Sequence, residues 1–469
     1  RPDIDAPKFN VKIYNPDAVA PGSWFVGPYQ ERVQRDPGGA WVGPHIYDAH
    51  GELVWSGVPQ FGHWNAFDFR ATNIGGEPML SFVDRHDSGV LLDNTYEEQM
   101  RFRASAEGAE FNMHDFNTVQ DSQSVLLLES IVKRADRNTS RLIGFDGECK
   151  IRYYGFEEVD VVTKKTTFSW SSEGHVDVSE TYNTRPGVEG PCNGGYGFDY
   201  IHANSIDKFP DGDYLLNARN CNAMYKISKT DGRIVWRFGG ARSDFNFDPR
   251  FQGQHHARVL SQNKTHTLIS FLDNSYLPSN MNPLINDCSR AFVVSLRTDT
   301  TPMTAEVVQQ LDHPHKAYAY GRGNVQTLPN GNTFVGWTDH SLHSEYDTAG
   351  NLILEAQLQA DLKSYRSYKF PWTGYPADPP DVLAEALHVD SSETISTTVW
   401  VSWNGATEVD VWNFYQVRAD GTWRRLLGSV YRQGFETKFV HEGFVAHVQV
   451  EALDRNGQSL GESDVYDTL

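Results

Sequence analysis

The chain has 469 residues and a formal charge of −20, from 41 Lys and Arg against 61 Asp and Glu. So acidic a surface excludes nucleic acid and anionic membranes as natural partners. The longest apolar run, Ser124 to Val132, is interrupted by Glu129 and is too short for the ~18 residues that a membrane span needs.

Aromatic residues make up 13% of the chain, with 39 Gly and 22 Pro, which favours short strands and turns over helices. The sequence begins at Arg1 without Met, as expected after removal of a signal peptide. Cys149, Cys192, Cys221 and Cys288 lack Cys-x-x-Cys spacing, which argues against a zinc knuckle, and sequence leaves their pairing open. Asn138-Thr139-Ser140 and Asn263-Lys264-Thr265 fit N-glycosylation at Asn138 and Asn263. Together these features point to an oxidising, extracellular compartment.

From Pro21 a loose pattern repeats. Its clearest marker is an outer hairpin, Ile46 to Trp55, which recurs as Lys226 to Trp236 and Glu345 to Leu354. Weaker copies lie at Leu91 to Phe102, Gly155 to Trp170 and Val294 to Leu311. Inner hairpins precede the markers, as in Tyr200 to Lys208 and Tyr214 to Arg219 around the Pro210-Asp211-Gly212 turn. Repeats of roughly 40–50 residues with about four strands each predict a β-propeller. Six blades are countable, and a seventh would need Phe9 to Tyr14 with a late segment. The pattern ends near Tyr365 to Trp372, before Pro376, Pro379 and Pro380. The expected fold is all-β: a six- or seven-bladed β-propeller over residues 1–375, then a fibronectin- or immunoglobulin-like β-sandwich over 376–469.

Three inner strands open on histidine: His114, His202, and the adjacent His255 and His256. Arg219 closes the hairpin that His202 opens, so both belong to one end of it. Adjacent strand residues face opposite sides, and register favours His255 for the axis. Equivalent strand ends around an axis would bring His114, His202, His255 and Arg219 together. Tyr200 is a further proton carrier, and Asn204, His256, Arg258, Arg290, Arg322 and His86 are candidate substrate-binding residues. Asp273 and Glu129 are candidate histidine partners. No Gly-x-Ser-x-Gly, Walker, Rossmann or His-Glu-x-x-His motif is present. Histidine transfers protons near neutral pH, and arginine neutralises carboxylate or sulfate through paired donors. The set therefore suits β-elimination from a uronic acid or sulfuryl transfer. A non-catalytic glycan-binding propeller is the reading from a different class. No cofactor is required, and Ca²⁺ is the expected ion if a structural metal is present.

The stretches His114-Asp115-Phe116, His202-Ala203-Asn204-Ser205, Gln254-His255-His256-Ala257-Arg258, Phe271-Leu272-Asp273-Asn274 and Tyr365-Arg366 resemble the arylsulfotransferase-type propellers. The likeness is strongest to their secreted fungal branch and includes Ser402 to Thr407. It implies a propeller enzyme, with His114, His202, Arg219 and His255 at the positions of the bacterial histidines and arginine. That branch includes enzymes similar to L-rhamnose-α-1,4-D-glucuronate lyase, which act on arabinogalactan glycans such as gum arabic. The resemblance thus implies a secreted lyase for an acidic plant glycan, with arylsulfate sulfotransfer as the alternative; a monomer is expected. One departure is His256, which stands where the bacterial motif has an acidic residue.

Overall fold

Alternation of apolar and polar residues, cut by Asp- and Gly-containing turns, produces strands through almost all of the computed structural model. It describes residues 4, 6–29, 41–119, 123–183, 189–277, 285–338, 341–360, 362–388 and 395–469. The fold is propeller-like and all-β, with a few one-turn helices. Among the described residues no helix is long and apolar enough to cross a membrane.

Six antiparallel sheets follow one another between Phe9 and Phe370 among the described residues. Their inner strands are Lys363–Phe370, Ala66–Ile74, Glu110–Thr118, Ala203–Lys208, His255–Gln262 and Asn324–Thr327. Each inner strand touches the next, and the last touches the first, so the sheets form a closed ring. Each of the predicted outer hairpins falls on two adjacent strands toward the outer side of one sheet.

The hairpin markers owe their shape to local hydrogen bonds. In the first, Asp48 Oδ1 accepts from the backbone N–H of His50 at 2.8 Å and of Glu52 at 3.0 Å. In the sixth, Asp347 Oδ1 accepts from Ala349 at 2.9 Å and Asn351 at 2.8 Å. A carboxylate that bonds its own turn explains why Asp recurs at this place.

Two strands depart from the sequence reading. Phe9–Ile13 founds no seventh sheet among the described residues; it is the outer edge of the sixth, paired with Leu352–Leu358. Lys363–Phe370, expected only as the end of the repeat, pairs with Ser23–Tyr29 and is the inner strand of the first sheet. The chain's two ends thus close the ring together, an arrangement that no local pattern encodes.

Apolar clusters lie between successive sheets, for example Leu126, Phe156, Ile206 and Leu216 between the third and fourth. On the axis the packing is ionic. Arg366 Nη1 donates to Asp68 Oδ1 at 2.7 Å and Asp115 Oδ1 at 2.6 Å, and Nη2 donates to Asn204 O at 2.9 Å. Arg258 reaches Asp115 at 2.8 Å. Tyr368 donates to Asp68 at 2.6 Å and lies 3.0 Å from His256 Nε2. Buried charges are stable only when paired, so the network fixes how the inner strands stand relative to one another.

After the ring come a three-stranded sheet (Asp381–His388, Ile395–Ser402, Glu436–Glu442) and a second sheet built on Val411–Val417 and His447–Leu453. They share a core of Val399, Val401, Trp412, Phe414 and Val450. The Ser402–Thr407 stretch docks this unit on the ring. Asn404 bonds the backbone of Ser56 as acceptor at 2.8 Å and as donor at 2.9 Å. Gly405, at φ +96°, lies so close to Tyr96 that a Cβ would meet its ring at 2.3 Å, which leaves glycine as the only residue that fits.

Candidate active site

Inner strands that begin at one end of a ring present their first residues to the same place. His202 immediately precedes Ala203–Lys208, His255 opens His255–Gln262, and Arg322 stands just before Asn324–Thr327. His114 lies within Glu110–Thr118, and Tyr365 within Lys363–Phe370. The rings of His114 and His202 meet edge to face, 4.7 Å between centroids, and Tyr365 lies 6.2 Å from His114. Arg219 begins a one-turn helix after Tyr214–Ala218, and its backbone N–H donates to His202 O at 3.3 Å.

Several of these positions are held in the left-handed backbone region: His202 at φ +51°, His256 at +55°, Arg322 at +64° and Asp68 at +56°. For a residue other than glycine this costs on the order of 1 kcal/mol or more, and such strain concentrates where a fold serves a site.

Each of His114, His202 and His255 has its Nδ1 committed. His202 Nδ1 lies 2.5 Å from Asp199 Oδ2, and its backbone N–H donates to Asp199 Oδ1 at 2.9 Å. Tyr154 donates its phenol proton to the same carboxylate at 3.1 Å. His114 Nδ1 meets Asn112 Oδ1 at 2.5 Å, and His255 Nδ1 meets Asn274 Oδ1 at 2.7 Å. Asn274 is oriented by its own Nδ2, which donates to Ala319 O at 2.8 Å. An amide or carboxylate oxygen only accepts, so each Nδ1 carries a proton, and each neutral ring keeps its lone pair on Nε2.

The charges agree with this assignment. Burial first, then the nearby His202, His255 and Arg322, push the His114 imidazole well below the ordinary histidine range. Burial and then Arg219 do the same to His255. Burial pushes the Asp199 carboxyl up, but the His202 charge and its hydrogen bonds outweigh that and hold it below the usual carboxylate range. The site therefore combines two neutral imidazoles with a third backed by a carboxylate.

His202, Asp199 and Arg219 line one cavity of about 440 Å³ with Asn183, Asn220 and the Gly190–Gly197 segment, whereas His114, packed on His202, and His255 are not among its lining residues. Arg219 Nη1 donates to Asn220 Oδ1 at 2.9 Å. Arg322 lies over the Tyr29 ring at 5.2 Å, close enough to Arg219 and His114 to act on both electrostatically. Among the described residues no group of three or more His, Cys, Asp or Glu side chains is arranged to hold a metal ion.

Other candidates stand elsewhere. Tyr200 is fully buried in the core, with its hydroxyl on Ser172 O and Val176 O at 3.3 Å each; the left-handed backbone at His202 breaks the alternation and turns it away, and Tyr154 is the phenol at the site. Asn204 bridges two sheets through Gln254 O at 2.9 Å and Asn217 at 2.7 Å. His256 and Arg258 belong to the axial network. Arg290 is committed to Asp273 at 2.6 Å and Arg250 O at 2.9 Å. These four hold structure and do not line the cavity. His86 packs on Phe67 at 4.6 Å and does not line the cavity. Glu129 and Asp273, proposed as histidine partners, bond none of His114, His202 and His255. Asn138 and Asn263 are both exposed.

Asp199, Tyr154, Asn112 and Asn274 went unrecognised in the sequence. A usable signal exists for two of them: a side-chain acceptor stands two or three residues before the histidine, in Asn112-x-His114 and Asp199-x-x-His202.

Four cysteines divide into one bridge, Cys149–Cys192, and two buried thiols, Cys221 and Cys288. The bridge anchors the Gly190–Gly197 wall of the cavity.

The arylsulfotransferase (ASST) family model matches residues 73–359, which include His86, His114, His202, Arg219, His255 and Arg322. No curated protein matches the chain. Among solved structures, a protein of unknown function from Bacteroides caccae is 11% identical, with a TM-score of 0.43 over 75% of this chain and 99% of that one. A catalytically inactive virginiamycin B lyase from Staphylococcus aureus is 10% identical, with a TM-score of 0.32 over 72% of this chain and 83% of that one. Scores this low carry no functional argument. The family match spans well over half of the sequence, and the chain belongs to the arylsulfotransferase family.

Proposed function

We propose that the protein is a secreted enzyme that grips the acidic group of its substrate on Arg219 and moves a proton through His202. In this reading the ring is a six-bladed propeller over residues 1–375, and residues 376–469 form a fibronectin-like sandwich. The single observation that carries the reading is the Asp199–His202 pair beside Arg219 in one cavity.

The chemistry that this geometry serves best is β-elimination from a uronic acid. Arg219 binds the carboxylate and thereby acidifies the adjacent C5 proton. His202 Nε2 takes that proton, and Asp199 stabilises the imidazolium. The C5–H electron pair forms the new double bond to C4 as the C4–O bond breaks. The proton leaves with the departing sugar oxygen. A rhamnose-capped glucuronate of an arabinogalactan glycan is the proposed substrate class. The carboxylate behind His202 favours this reading, because it strengthens a proton acceptor.

Sulfuryl transfer is the second reading, and the family match favours it over elimination. There Arg219 and Arg322 would cradle the sulfate, and His114 Nε2, backed by a neutral amide, would be the nucleophile. His256, which departs from the bacterial pattern, bonds Tyr368 and does not weigh against it. Incubation with gum arabic separates the readings: an unsaturated uronate, seen by its ultraviolet absorbance and by mass, is the product of elimination alone.

A further inference from the structure

One exposed aromatic side chain stands in the wall of the His202–Arg219 cavity. Tyr196 is 57% exposed and lines that cavity together with Asp199, His202 and Arg219. Its exposure is one-sided. The Arg152 guanidinium covers one face of the ring, 4.0 Å from the centroid. With Arg152 over one face of a ring that is more than half exposed, the second ring face is the open one.

The ring is also held in place. Arg152 is 6% exposed, and its Nε donates to Tyr196 O at 2.9 Å. Its Nη1 donates to Ser130 Oγ at 2.7 Å and Glu110 Oε2 at 3.0 Å. On one side of Tyr196, Cys192 is bonded to Cys149. On the other, Phe198 and Asp199 pair with Ile151 and Arg152. No Cβ position at Gly190 or Gly195 has a neighbour within 4 Å, so the space in front of the wall is open. A fixed aromatic face beside an anion-binding arginine is suited to a ring-bearing anion, since little side-chain entropy remains to be lost on binding.

We propose that Tyr196 is the platform on which the substrate's ring stacks while Arg219 holds its acidic group, so that it selects ring-bearing anions over small ones. The proposal rests on the reading of this cavity as the substrate site, but it holds for a sugar ring and an aryl ring alike. Cation–π polarisation by Arg152 behind the ring leaves the open face for C–H or π contacts.

The test compares wild type, Tyr196→Ala and Tyr196→Phe as full chains. Two ring-bearing probes are used, a rhamnose-capped glucuronate oligosaccharide and p-nitrophenyl sulfate, and inorganic sulfate is the small anion. For whichever ring-bearing probe is turned over, Tyr196→Ala raises KM at least about threefold, within the range for an aromatic pair. Tyr196→Phe stays within about twofold, and sulfate inhibits all three proteins equally. If neither probe is turned over, the same ratios are read as Kd by calorimetry. A smaller rise for Tyr196→Ala overturns the platform, and so does a loss in Tyr196→Phe as large as that in Tyr196→Ala. Equal weakening of inorganic sulfate also overturns it, since that marks damage to Arg219. Failure of the elimination reading looks different: wild type binds or turns over a probe without forming an unsaturated uronate. Binding of neither probe by wild type contradicts both.

Discussion

His202 Nδ1 stands 2.5 Å from Asp199 Oδ2, and the same carboxylate accepts the Tyr154 phenol at 3.1 Å. Such a carboxylate fixes the imidazole's tautomer and stabilises its protonated form. Asp199→Asn keeps the shape and removes the charge, so kcat is expected to fall at least about tenfold with KM little changed. Steady-state kinetics with a melting control read this. An unchanged kcat would mean that the pair is structural.

Arg219 closes the fourth sheet's inner hairpin, and its guanidinium is half-buried beside His202. Arg219→Lys keeps the positive charge but loses the planar pair of donors. A fall in kcat/KM of at least about tenfold, or about 1.4 kcal/mol of transition-state stabilisation, is expected. Arg322→Lys should cost less under elimination, because Arg322 lies over Tyr29. If the Arg322 variant loses more, the anion sits between both arginines, as sulfuryl transfer requires.

Much of this site was legible because the signals are local. The first and sixth outer hairpins announce themselves through Asp-x-x-Gly turns, and His202 and His255 through their place at strand starts, whereas His114 lies within its strand. Tyr200 shows the limit. Two residues from His202 in sequence, it faces the core because His202 at φ +51° breaks the alternation on which the assignment relied. Arg258, Arg290 and His256 were misplaced for another reason. Their partners Asp115, Asp273 and Tyr368 include residues up to 143 positions away, and sequence shows a charged residue without showing its counter-charge. Closure of the ring by Lys363–Phe370 on Ser23–Tyr29 is likewise long-range.

The Cys149–Cys192 bond closes a loop of 43 positions and ties the cavity wall to the third sheet. A bond of this kind contributes about 2–4 kcal/mol. In the Cys149→Ser/Cys192→Ser double variant the melting midpoint should drop by several degrees. Below that midpoint KM should rise, because the wall bearing Tyr196 loses its anchor. A drop in midpoint with unchanged KM would separate the wall from substrate binding.

Two histidines far from the cavity set an acid limit on stability. Burial pushes His45 down to about 4 and His343 to about 3, with His63 and Lys369 adding to the respective effects. Their folded values lie below the unfolded value of ~6.5, so the unfolded chain binds more protons between these limits. Their contribution to stability is therefore whole above pH ~6.5 and falls as the pH drops toward ~4. Asp115 adds to the loss at lower pH: burial raises its pKa, but Arg258 and Arg366 outweigh that and hold it low. Melting midpoints should decline from pH ~6.5 downward, with a shallower decline in His343→Leu. A flat profile over that window would contradict the neutral burial of both rings.

The central claim is that a proton, and not a sulfuryl group, moves at His202. The most direct test offers wild type a rhamnose-capped glucuronate glycan and, in parallel, p-nitrophenyl sulfate with a phenol acceptor. The account predicts release of rhamnose with an unsaturated uronate product, seen by absorbance and mass, and no sulfated phenol. Release of p-nitrophenol with a sulfated acceptor, and an unchanged glycan, would contradict it.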